Sequence, residues 1–136
     1  IDPGEMSAVV LASPQLTHIK APVADVDPAS IEGPVRFLVL DVNISPFAAL
    51  RQIEPMVKRH GQDLCALFLT LKLGDWHMAA RVPHLVSLVR ELGAPIAEVH
   101  AKQLVANKVE IFVAALTQAG LARRPGYETS PTSRRR

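Results

Sequence analysis

Three apolar runs constrain the chain more than any other feature: RFLVLDV from Arg36, CALFLTLKL from Cys65 and KVEIFVAAL from Lys108. Each is rich in β-branched or aromatic residues, and each is too short for a helix that is apolar on all sides. The first two read as strands buried on both faces of a parallel sheet. Between them, Ser45-Pro46 supplies an N-cap followed by Pro at the first helical position. Leu50, Ile53, Met56 and Val57 then form an apolar stripe, and Gly61 is placed as a C-cap.

Beyond Asp75 a second helical pattern runs through Met78, Val82, Leu85, Val86, Val89 and Leu92, and Gly93-Ala94-Pro95 stops it. IAEVHAKQL and KVEIFVAAL follow, with Val105-Ala106-Asn107 near their turn, so the two pair as an antiparallel hairpin. Upstream, Ile1-Asp2 reads as the end of a strand before a Pro-Gly turn. Glu5 to Ala12 reads as a short helix, and Leu16 to Val23 as a strand weakened by Pro22. Strands alternating with helices indicate a doubly wound α/β fold, mostly parallel, with an antiparallel end.

Composition narrows the class. Hydrophobic residues make up 49% of the 136 residues and charged residues 21%, which suits one globular domain. A net charge of +2 gives no global basic field for nucleic acid. No stretch has the length of a membrane span, and one cysteine, Cys65, excludes an internal disulfide and suits a reducing, cytoplasmic setting. The five His residues lack paired ligand spacing, so no metal site is expected. His77 and His84, seven apart on one helical pattern, suit a surface face, and Trp76 reads as a packing residue at the helix start. Lys58, Arg59, Arg81 and Arg90 read as solvated helix faces. Residues 1–120 are expected to form the domain, and the basic tail 121–136 to be disordered.

Ligands of open α/β sheets bind beyond the carboxyl ends of the strands, so polar groups at those ends carry the functional information. Asp2 ends the first segment, Asp41 ends RFLVLD, Lys72 lies near the end of CALFLTLK, and Glu110 opens the antiparallel strand at the same edge. Each has a plainer role: Asp41 as a loop cap, Lys72 as a snorkelling side chain, Glu110 as a solvent-facing residue. A lysine bracketed by two carboxylates, all on apolar strands, is nonetheless costly to bury without a purpose.

Asp in LDVNISP, Lys in LTLKL and Glu in VEIFVAA together resemble the last three members of the Lys-Asp-Lys-Glu tetrad of FtsJ/RrmJ-type ribose 2′-O-methyltransferases. The likeness is nearest to the RlmM-like group, which acts on large-subunit ribosomal RNA, and runs from IDPGEM to about Leu116. It implies a Rossmann-like methyltransferase sheet, S-adenosyl-L-methionine as cofactor, ribosomal RNA as partner, and Asp41, Lys72 and Glu110 as catalytic residues. It also implies that Asp2 accepts hydrogen bonds from the cofactor ribose and that Asp25, rather than Asp27, lies on the adenine side, although APV departs from the family spacing.

The family's first strand, its Gly-rich turn and its first tetrad Lys have no counterpart here, so the chain is expected to be the C-terminal part of a catalytic domain. Such a chain is expected to be marginally stable or to associate through an unpaired sheet edge. Two other classes remain open: a noncatalytic methyltransferase-like domain that binds RNA or protein, and a different nucleotide-binding domain in which Lys72 and Glu110 form a structural ion pair.

Overall fold

The computed structural model describes residues 1–103 and 109–123. It is an α/β structure whose elements are α1 (Ala8–Leu11), β1 (Phe37–Asp41), α2 (Pro46–His60), β2 (Ala66–Lys72), α3 (Val82–Arg90), β3 (Ile96–Gln103), β4 (Glu110–Thr117) and α4 (Gln118–Ala122). The four strands lie in the order β1-β2-β4-β3. Only β1 and β2 pair in parallel, while β4 runs antiparallel to both β2 and β3. The sheet is therefore mixed rather than mostly parallel. β3 and β4 do pair as an antiparallel ladder, and the Val105–Asn107 turn lies outside the described residues.

Helix α2 forms where the sequence places it. The Ser45 hydroxyl accepts from Ala48 N–H at 3.4 Å, and Pro46 occupies the first turn. Ile53 and Val57 of α2 and Leu85 and Val89 of α3 are buried in one core with Leu67, Leu69, Leu71, Ile111 and Val113 of the sheet. Burying each such side chain contributes about 1.5–3 kcal/mol before the entropy of ordering it is counted. Gly61 ends α2 in right-handed rather than left-handed backbone, and the reason for a glycine there is space. A Cβ at Gly61 would lie 2.6 Å from the Val57 carbonyl oxygen and 3.1 Å from Ala94 Cα.

Pro55 lies inside α2, where it cannot donate to the carbonyl one turn back. Pro55→Ala restores that hydrogen bond at an exposed position and is expected to stabilise the chain by about 1–2 kcal/mol. A urea titration that shows no rise in midpoint would refute this.

All the strand residues packed against α2 and α3 point to one side of the sheet. The register sets Phe37, Val39 and Asp41 on the opposite side with Phe68, Lys72, Glu110 and Phe112, and among the described residues no helix of that core covers them. The α/β expectation holds with helices of the core on one side of the sheet among the described residues, and the reading of β1 as buried on both faces fails. Phe37 is 61% exposed and Val39 73%. A continuous row of rings, Phe37–Phe68 at 6.4 Å and Phe68–Phe112 at 6.1 Å between centroids, crosses the open side instead.

The upstream segment differs too. Leu16–Val23 forms no strand, and Ile1–Pro3 forms none. The two segments are joined by Asp2 N–H donating to the Ile19 carbonyl at 3.1 Å and by His18 Nε2 donating to the Asp2 carbonyl at 2.8 Å. Pro3 and Pro22 remove donors on either side of that contact, so no ladder propagates. The second helical pattern also divides: Trp76–Arg81 is a 3₁₀ turn capped by Asp75, and α3 restarts around Pro83. At the far end α4 carries the packed unit past residue 120, with Leu121 buried.

Candidate functional site

Asp41, Lys72 and Glu110 meet at the carboxyl end of β1 and β2. β1 and β2 run in parallel, which brings Asp41 beside Thr70 and so within one same-side step of Lys72. β2 and β4 pair Lys72 directly with Glu110. All three side chains therefore project from the open side of the sheet. Lys72 Nζ lies 2.6 Å from Glu110 Oε1 and 2.9 Å from Asp41 Oδ1. The side chains are unequally shielded: Glu110 is 13% exposed, Lys72 21% and Asp41 67%.

This geometry governs protonation. The Glu110 carboxylate first, and Asp41 second, raise the Lys72 pKa above its ordinary 10.5, outweighing the opposing effect of burial. Lys72 is thus an ammonium at neutral pH. Because its folded pKa is raised, its stabilising contribution is fully present below the ordinary lysine range and is lost as pH rises through the folded value. Thermal melts of the wild type and Lys72→Met are expected to converge only at the alkaline end of a pH 7–11 series. Wild-type stability that fell relative to the variant between pH 7 and 9 would contradict the raised pKa.

Asp2 and Asp41 line one groove beside β1. One Asp2 oxygen, Oδ1, already accepts from Gly4 N–H at 2.7 Å, closing the Pro-Gly turn. Asp25 is not in that groove: it ends a 3₁₀ turn, Val23–Asp25, and lines a smaller neighbouring depression with Pro55 and Met56. Asp27 caps the next 3₁₀ turn by accepting from Ala29 N–H at 2.9 Å. The two acids expected on the cofactor therefore occupy separate surfaces.

Other expectations divide similarly. Trp76 is 58% exposed rather than packed, because the 3₁₀ turn that begins with it directs it outward. Lys58, Arg59, Arg81 and Arg90 are exposed, as are His77 and His84. His60, which the sequence did not single out, is buried on the groove wall with Nε2 donating to the Pro28 carbonyl at 3.0 Å. Its place on the apolar stripe of α2, one turn after Met56 and Val57, was the available signal. Among the described residues no cluster of His, Cys, Asp or Glu has the makings of a metal site, and no helix is long and apolar enough to cross a membrane.

No protein-family model matches the chain, and comparison with curated proteins finds no relative.

Proposed function

We propose that the chain is the C-terminal portion of a Rossmann-like, S-adenosyl-L-methionine-dependent RNA ribose 2′-O-methyltransferase, acting on ribosomal RNA in the cytoplasm. The observation that carries this reading is the convergence of Asp41, Lys72 and Glu110 at the carboxyl ends of adjacent strands. A structural pair alone would need only Lys72 and Glu110; the third group makes the cluster a bracketed cation.

The fit to the cofactor is partial. Asp2 lies on the groove wall with carboxylate acceptor capacity beyond the Gly4 contact, which suits a ribose diol, whereas Asp25 lines the adjoining depression, which shares Val23, Gln52 and Met56 with the groove. The bound cofactor would supply the methyl group. Lys72, held as an ammonium, donates two N–H bonds to its carboxylates and keeps a third for a substrate oxygen. In that state it orients a ribose hydroxyl and stabilises developing negative charge on it, rather than removing its proton. The exposed Trp76 indole, four residues beyond Lys72, offers a stacking surface for a neighbouring base.

Calorimetric titration of S-adenosyl-L-methionine into the chain, and into a version extended upstream by a strand and Gly-rich turn of the family, is the direct test. Binding by the extended version that weakens at least tenfold in Asp2→Ala is the expected result. Absence of heat with both would remove the cofactor from the proposal. A noncatalytic binding domain is then the better reading, favoured by the open apolar side of the sheet.

A further inference from the structure

The flank of β1 away from β2 carries no strand among the described residues, although β1 is a regular five-residue strand. Its outward backbone N–H and C=O groups form an unpaired edge, which sheets rarely leave uncovered. Along that edge runs a groove of about 970 Å³ that touches every residue from Phe37 to Ile44. Its floor includes Ile53 and Met56 of α2. Its far wall is formed by Ile1–Pro3 and by residues around Ile19, tied together by the Asp2–Ile19 hydrogen bond.

We propose that this groove is a docking site for one extended peptide segment of about five to seven residues, which adds to β1 as a strand and is apolar in its middle and basic at its ends. Main-chain hydrogen bonding to an exposed edge is an established mode of peptide recognition, with alternate side chains giving specificity. Here the side chains on one side of the added strand meet Ile53 and Met56, and those on the other extend the apolar row of Phe37 and Val39. The charged side chains lining the groove, apart from His60, are Asp2, Glu32 and Asp41, with no Lys or Arg among them. Basic residues at the ends of the segment match that lining.

The groove also selects between occupants. A second copy pairing edge to edge would bring a four-stranded sheet against β1, and the Ile1–Pro3 wall stands in its path. A single strand needs only about 4.8 Å of lateral space, far less than a whole sheet. The cofactor reading places a ribose at Asp2 in this same groove, so a segment docked along β1 and S-adenosyl-L-methionine exclude one another.

The test uses the whole chain and a fluorescein-labelled peptide, KVIVLVK, followed by anisotropy and by sedimentation velocity. Saturable one-to-one binding is expected, with the peptide EVIVLVE at least tenfold weaker at low salt. KVIVLVK methylated on alternate backbone nitrogens, in either phase, provides two further probes. One of them, lacking the donors that face β1, should lose at least tenfold in affinity. Val39→Lys, at an exposed position, should weaken KVIVLVK similarly while leaving the circular dichroism spectrum unchanged. Equal binding of all the peptides, or no binding of KVIVLVK at millimolar concentration, would overturn the proposal. A chain that sediments as a dimer and stays dimeric at saturating peptide would assign the flank to a second copy and overturn it equally.

Discussion

Gly120→Ala is expected to destabilise the chain by about 3 kcal/mol, lowering the thermal midpoint by roughly 10 °C. A Cβ at Gly120 would run into the Cys65 carbonyl oxygen and lie 2.9 Å from its carbon. Neither partner has room to yield. The Cys65 carbonyl accepts from Thr117 N–H at 3.0 Å and from the Thr117 hydroxyl at 3.2 Å, and that hydroxyl accepts from Gly120 N–H at 3.1 Å. Thr117 is fully buried, so the contact is clamped from both sides. About 3 kcal/mol is a large part of the 5–15 kcal/mol that holds a typical domain. Scanning calorimetry measures the shift; an unchanged midpoint would mean that α4 is not seated against the start of β2.

On the proposed methyl-transfer reading, Lys72→Met should reduce the rate by a factor of about 10²–10⁴, the range expected when one group that polarises or moves a proton is lost. Lys72→Arg separates the possible roles. If the ammonium acts by charge, arginine retains part of the rate; if neutral lysine removes a proton, arginine is as inactive as methionine. The raised Lys72 pKa favours the first outcome. The accompanying loss of stability is about 1–3 kcal/mol: the Asp41 pair is 67% exposed and screened, but Glu110 is 13% exposed and loses its ammonium. Single-turnover assays with labelled cofactor and ribosomal RNA, beside urea titrations, distinguish lost chemistry from lost folding.

The elements that were legible in the sequence are those whose signal is local. β2, α2 and β4 follow from unbroken apolar runs, a Ser-Pro cap and helical periodicity. The meeting of Lys72 with Glu110 was legible in part: both interrupt apolar runs, and the antiparallel reading of β4 put Glu110 at the same edge, but the expected hairpin joined β3 to β4 and not β2 to β4. Which side of the sheet is covered was not legible. In β1 the outward Phe37 and Val39 are as apolar as the inward Leu38 and Leu40, so alternation is invisible. Leu16–Val23 has strand-like composition, but a strand needs a continuous neighbour, and proline at 3 and 22 limits that contact to a single backbone hydrogen bond. The groove is lined by four stretches between Ile1 and His60, and Asp25 ends a 3₁₀ turn beside it that composition does not specify.

The order β1-β2-β4-β3 also distributes persistence unevenly. β2 and β4 each hydrogen-bond to a neighbour on both sides, while β1 has one partner and three of its side chains mostly in water. Amide exchange should therefore be slowest along the β2–β4 ladder and much faster in β1, which opens without the rest. Lys72 and Glu110 ride on the slow ladder, and Asp41 rides on the strand that opens. Each excursion of β1 would withdraw one carboxylate from the lysine and leave the other in place, so the bracket around Lys72 opens from the Asp41 side.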